Sequence, residues 1–189
     1  AWPASVLVFV VAALCYRHAL HAIVFWERRV PVCVDLLTVP PPGASVLDDG
    51  GCIGTDGLRL LADGYRVGFA DFDNPSIAYL RWRLERRDLR AKIYNVEKPI
   101  NDHFDVAYSF DVIEHVEEPI GFLEKLEAVA DVVALNPLEP DPHDVHLHKT
   151  LPIEAILDRA KHQGILKYAK YHGRSHLVIY RVRADRLDP

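Results

Sequence analysis

The chain has 189 residues, half of them hydrophobic, and carries 22 Lys and Arg against 27 Asp and Glu, a formal charge of -5. That length supports one domain with a sizeable core and excludes two of ordinary size; the acidic balance excludes a general nucleic-acid binder, which needs a surplus of cations on one face. Cys15, Cys33 and Cys52 are odd in number, far apart and without CxxC spacing, so neither a disulfide framework nor a zinc ribbon is indicated and a reducing, cytoplasmic setting is expected.

Taken in chain order, the first segment is SVLVFVVAALCYRHALHAIVFWERR, residues 5–29. Its uninterrupted apolar part ends at Arg17, well short of the roughly 20 residues that span a bilayer. Neither a positive stretch ahead of it nor a small-residue cleavage site marks a secretory signal. One or two helices packed on the domain as a lid are therefore expected over 1–40, and membrane association is not. The chain contains no methionine, even at position 1. Either the chain is processed or truncated, or modified methionines are missing from the sequence and shorten some spacings by a residue, so motif spacing is read only inside short runs.

PPPG at 40–43 breaks any helix and opens the second unit, 41–189. From there short apolar runs alternate with helical stretches. Strands are expected at 45–48, 66–70, 91–94, 104–109, 131–136, 165–171 and 177–182, and helices at 55–63, 75–87, 118–130 and 151–163. Asp73-Asn74-Pro75 and Glu117-Glu118-Pro119 look like helix entries, each with a capping side chain and a proline in the first turn. This alternation implies an α/β domain, a mostly parallel sheet with helices on both faces. The last two strands are too close for a crossover helix and should form an antiparallel hairpin through 172–175. The basic cluster Arg81, Arg83, Arg86, Arg87 and Arg90 reads as a solvated helix face in preference to a phosphate-binding patch.

The loop after the first strand, Asp48-Asp49-Gly50-Gly51-Cys52-Ile53-Gly54, carries the chemistry. In an open parallel sheet the ligand binds beyond the carboxyl ends of the strands, and the first strand-to-helix turn is the usual cradle. GxGxxG fails here, because Cys52 and Thr55 fill two of its glycine positions, and no GxxxxGK[ST] occurs. What remains is D-x-G-x-x-x-G before a helix, then Asp71 at the end of the second strand. An acid there can accept two hydrogen bonds from a ribose diol, and Phe72 beside it can pack on a flat base.

HFDVAYSFDVIEHVEEP (103–119), together with VLDDGGCIG and VGFADFD, resembles the class I S-adenosylmethionine-dependent methyltransferases that act on small molecules, over about residues 45–182. The resemblance implies a Rossmann-like, doubly wound, mostly parallel seven-stranded sheet closed by a C-terminal antiparallel hairpin. It implies S-adenosylmethionine as cofactor, S-adenosylhomocysteine as product, and a small-molecule acceptor, with the protein alone or as a homodimer. It also implies roles for particular residues. Asp48, Gly50, Gly51 and Gly54 face the methionine part of the cofactor, Asp71 the ribose and Asn95 the adenine amine, while Ser109 and Phe110 line the site. An acid is commoner than asparagine at the place of Asn95. Cys52 stands where the family has its second glycine, and Gly51 is expected to absorb the resulting backbone strain.

His115, just past the fourth strand, is the candidate base for a hydroxyl acceptor, against a structural histidine tying the loop to the next helix. Asp111, Glu114 and His115 are similar to the loop with which some ubiquinone-pathway O-methyltransferases hold a divalent metal. Glu139, Asp141, His143, Asp144, His146 and His148 add further ligand types after the fifth strand. A metal is not the favoured reading. Two competing functions stay open: a non-catalytic cofactor-binding module, and a nicotinamide oxidoreductase, which the missing GxGxxG disfavours.

Overall fold

A computed structural model describes residues 41, 43–139, 149–171 and 173–183. The expected lid over 1–40 lies outside the described residues. In chain order the elements are β1 (Ser45–Asp49), α1 (Thr55–Ala62), β2 (Arg66–Asp71), α2 (Pro75–Glu85), β3 (Lys92–Asn95), β4 (Phe104–Ser109), a 3-10 turn (Ile113–His115), α3 (Pro119–Val129), β5 (Ala130–Leu135), α4 (Ile153–Gln163), β6 (Ile165–Tyr171) and β7 (Ser175–Arg181). One seven-stranded sheet has the order β3-β2-β1-β4-β5-β7-β6. Strands β1 to β5 run parallel, and β7 is antiparallel to both β5 and β6.

The central strands are buried on both sides because helices cover both faces, which is why they read as near-continuous apolar runs. Successive residues divide between two cores. Val46, Val67, Phe69 and Val106 pack with Leu58 of α1 and with Ile77 and Leu80 of α2. Leu47, Ala70, Ala107 and Val133 pack with Leu123 and Leu126 of α3 and Ile156 of α4. The period of two along each strand thus becomes a two-sided domain.

Local signals set the helix entries. Asn74 caps α2 by accepting from the N–H groups of Ser76 (2.8 Å) and Ile77 (3.2 Å), with Pro75 in the first turn. The matching expectation at Glu118 holds only for the proline: the Glu118 side chain makes no capping hydrogen bond. Its longer side chain is a poor Ncap, a position that favours Ser, Thr, Asp and Asn.

One buried ion pair fastens the second face. Glu127 of α3, 3% exposed, accepts from Arg159 of α4 through Nε (2.8 and 3.1 Å) and Nη2 (2.6 Å), and from the Tyr180 hydroxyl of β7 (2.9 Å). Removing one partner leaves the other charge buried and unpaired, which is costlier than losing both. Arg159→Leu should therefore lower unfolding free energy by about 3 kcal/mol in urea titration, and Glu127→Leu with Arg159→Leu should recover much of that loss. An Arg159→Leu protein as stable as the parent would show that the pair fastens nothing.

Candidate functional site

The strand order reverses between β1 and β4, since the chain leaves β1 towards β2 on one side and returns as β4 on the other. Loops diverge at such a point and leave a crevice at the carboxyl ends of the strands. The parallel register brings the sequence-predicted residues to that one edge: Asp48 lies beside Phe69 and Tyr108, Asp71 beside Asn95, and Ser109 beside Leu135.

The loop after β1 is shaped by close approach. Gly50, at φ 78, donates its N–H to the Ala70 carbonyl (2.8 Å), and a Cβ added there would stand 2.2 Å from Val112 Cγ2 in the loop after β4. At Gly51 an added Cβ would meet the Asp48 carboxyl carbon at 2.9 Å. Gly54, at φ 72, is the left-handed N-cap residue of α1.

The expected compensation by Gly51 does not occur. The left-handed backbone falls on Cys52 itself, at φ 50, and Gly51 is needed for its nearness to Asp48. What holds Cys52 in this conformation is a hydrogen bond: its N–H donates to Asp71 Oδ2 at 2.9 Å. The acid of β2 thus fastens the cradle of β1. Cys52 is exposed.

Asp48 is 4% exposed, and its Oδ2 accepts from the Gly57 N–H in the first turn of α1 at 3.1 Å. Burial pushes its carboxyl up to about 7, with the Tyr108 hydroxyl and the Gly57 N–H pulling the other way. Its neighbour Asp49 is also raised to about 7, by burial first and then by the charge of Asp71. Burial penalises the ionised form in each case.

Asp71 Oδ1 accepts from the Phe72 N–H (2.7 Å) and from Asn74 Nδ2 (3.4 Å). A carboxylate offers about four lone-pair positions, so Oδ2 keeps acceptor capacity beyond Cys52. Phe72 stands 59% exposed at the same strand end. Asn95 turns its amide onto Glu97, accepting from the N–H at 2.9 Å and donating to Oε2 at 3.3 Å. Ser109 is fully buried, and Phe110 packs on Tyr108 with ring centroids 5.1 Å apart.

Beyond β4 the D-x-x-E-H residues do not converge. Asp111, at φ 55, exchanges hydrogen bonds with Asn136: its N–H donates to Asn136 Oδ1 (2.7 Å) and its Oδ1 accepts from Asn136 Nδ2 (2.5 Å). Glu114 is buried, whereas His115 is exposed at the end of the 3-10 turn. Among the described residues no three His, Cys, Asp or Glu side chains stand together as a metal site. Glu139 is taken by Lys170 (2.7 Å) and by His176 Nε2 (2.9 Å); Asp141, His143, Asp144, His146 and His148 lie outside the described residues.

Sequence reasoning missed Asn136 and Asp49. Asn136 directly follows the apolar run of β5, and only the β4–β5 register places it opposite the loop after β4. Asp49 looks like the variable residue of the motif, yet it is a second carboxyl group beside Asp71.

Residues 47–131 match the family model described as a methyltransferase domain. A probable S-adenosylmethionine-dependent methyltransferase of Mycolicibacterium smegmatis is 34% identical over 103 residues, which cover 53% of this chain and 39% of the relative. The chain thus spans about two fifths of that relative's length. Among solved structures, TehB from Haemophilus influenzae superposes with a TM-score of 0.66 at 18% identity, over 81% of this chain and 62% of that one. Magnesium protoporphyrin IX methyltransferase from Synechocystis PCC 6803, with bound S-adenosylmethionine, does so with a TM-score of 0.60 at 16% identity, over 89% and 80%. At these identities the structures share the fold.

The raised carboxyls of Asp48 and Asp49 make stability depend on pH. Both hold their protons more tightly in the folded than in the unfolded chain, so the folded state binds extra protons between about pH 4 and pH 7. Their contribution is fully present at the acid end of that window and is lost as pH rises through it. Asp49→Asn should flatten the decline of Tm between about pH 5 and 8 measured by calorimetry, and an unchanged slope would exclude Asp49 as its source.

Proposed function

We propose, from the match of residues 47–131 to the methyltransferase-domain family and the likeness to a probable S-adenosylmethionine-dependent methyltransferase, that this protein transfers a methyl group from S-adenosylmethionine to a small-molecule hydroxyl. The observation that carries the reading is the Asp71 carboxylate, held at the end of β2 by the Cys52 and Phe72 N–H groups with acceptor capacity left on Oδ2.

In this reading Asp71 accepts from the ribose hydroxyls, Phe72 packs on the adenine ring, and Asn95 meets the adenine amine. Asp48, Gly50, Gly51, Cys52 and Gly54 form the wall facing the methionine part, and the chain at Ser109 and Phe110 lines the site beyond β4. The bound cofactor supplies an already activated methyl group for in-line displacement. The protein's part is to hold the acceptor oxygen at attack distance and to take up its proton. His115, exposed just past the 3-10 turn, is the proposed base. No metal is required by this scheme.

Thermal shift tests the cofactor reading. S-adenosylhomocysteine and S-adenosylmethionine should raise Tm, since a ligand at a hundredfold excess over its Kd adds about 2.7 kcal/mol, and NAD should not. Asp71→Ala should abolish the shift; stabilisation by NAD alone would overturn the assignment, and a shift retained in Asp71→Ala would remove the ribose role. A shift without turnover on phenols, sugars or amines would favour the non-catalytic binding module.

The base is tested separately. His115→Ala should lower kcat by roughly a hundredfold while leaving S-adenosylhomocysteine affinity nearly intact. Unchanged turnover would return His115 to a structural role.

A further inference from the structure

Within the basic cluster on α2, Arg83 donates from Nη1 to the Ile53 carbonyl of the loop after β1 (2.5 Å), whereas Arg81 and Arg90 line a separate groove. The C-terminal half of this helix runs towards the amino ends of the parallel strands, and there it borders β3, whose outer side is one edge of the sheet. Between them is an open, shallow groove of about 390 Å³. Its floor is aliphatic, made by Leu84, Leu89 and Ile93, and its rim carries Arg81, Arg90 and Glu85.

Two further observations mark this place. Several exposed cations sit on carboxylates, Arg59 on Asp63, Lys92 on Asp102, Lys161 on Asp158 and Lys170 on Glu139, while others such as Lys98 and Lys125 stand in solvent. Among the described residues Arg81, Arg86 and Arg90 meet no carboxylate, in a chain that has more acids than bases. Beside them Trp82 is 50% exposed and stacks on Tyr79, with ring centroids 5.3 Å apart. Guanidinium groups without counter-ions above an aliphatic floor are complementary to a ligand with an anionic head and an apolar body.

We propose that this groove binds a single-tailed amphipathic anion, its carboxylate or phosphate head on Arg81 and Arg90 and its hydrocarbon on Leu84, Leu89 and Ile93. Glu85 on the same rim limits the head to one anionic group by repelling a second. A free inorganic anion uses only the rim and gains nothing from the floor. A nucleic acid needs a continuous cationic track, whereas this one is confined to a single helix end on an acidic protein. Because the groove's lining shares no residue with the crevice, occupancy here does not compete with the proposed cofactor for its place, and the two readings fail independently.

Calorimetric titration with decanoate and decyl phosphate, both below their micelle concentrations, should show saturable binding. Arg81→Gln with Arg90→Gln should weaken it by about tenfold or more. Ile93→Gln, which also loses packing against the core, should weaken it as well; the arginine variants should keep the parent's Tm, and each variant its response to S-adenosylhomocysteine. The emission of Trp82 should shift on titration, a change absent from Trp82→Phe. Four results would overturn the proposal: no binding; equal binding of inorganic phosphate or acetate; binding only of anionic vesicles or of a short oligonucleotide; or titrations that the arginine variants leave unchanged.

Discussion

A carboxylate buried at the end of the central strand organises the rest of the crevice. Asp48 is directed by strand alternation onto the α1 face, where its best remaining partner is the Gly57 N–H at the start of that helix. A helix N-terminus offers unpaired N–H groups to a negative charge, so the grip fixes where α1 begins relative to β1. Everything between the two must then turn within a few residues. Gly51 must lie almost on the Asp48 carboxyl, and the strain of the turn passes to Cys52, which Asp71 holds from the neighbouring strand. Asp48 thus sets the turn, and Asp71 restrains the residue on which its strain falls.

Charge is distributed along the strand axis. The carboxyl edge carries Asp48, Asp49, Asp71 and Asp111, while Arg81, Arg86 and Arg90, which meet no carboxylate among the described residues, gather on the C-terminal half of α2. The mutual repulsion of Asp49 and Asp71 contributes to the raised affinity of Asp49 for its proton. A cationic ligand at the acidic edge relieves that repulsion, and an anionic one at the other end supplies the counter-ion the arginines lack. Net charge alone describes neither end.

Much of the architecture was legible in sequence because hydrophobic period and turn chemistry agreed along 41–183. Runs such as VAYS and VVAL are buried on both sides of a sheet, and Asn74-Pro75 is a helix start by its chemistry alone. The first turn of β7 was less visible: Ser175 and His176 look like loop residues, but His176 is buried by bonds to Glu139 and to the Tyr168 hydroxyl. Pairing across the sheet is not written in local pattern. The candidate site divides the same way. Asp71 and the glycine loop were readable because strand end and motif coincide. The spacing of Asp111, Glu114 and His115 was misleading, since a 3-10 turn sends successive side chains in different directions. The swap of glycine and cysteine at 51 and 52 looked like a simple compensation, but close approach and backbone hand are separate demands, and each position answers a different one.

The place of β7 has a consequence for how the chain assembles. It follows β6 in sequence, yet it lies between β5 and β6, and Val178 and Tyr180 belong to one core while Leu177 and Ile179 belong to the other. During synthesis β5 and β6 emerge with no strand between them, and neither core is complete until residues up to 181 are free of the ribosome. Contacts of long sequence separation form late, so the half-made sheet presents the open edge of β5 to other chains for that interval. Resistance to self-association in the cell then depends on how fast the final hairpin is delivered, a kinetic property that the finished fold no longer displays.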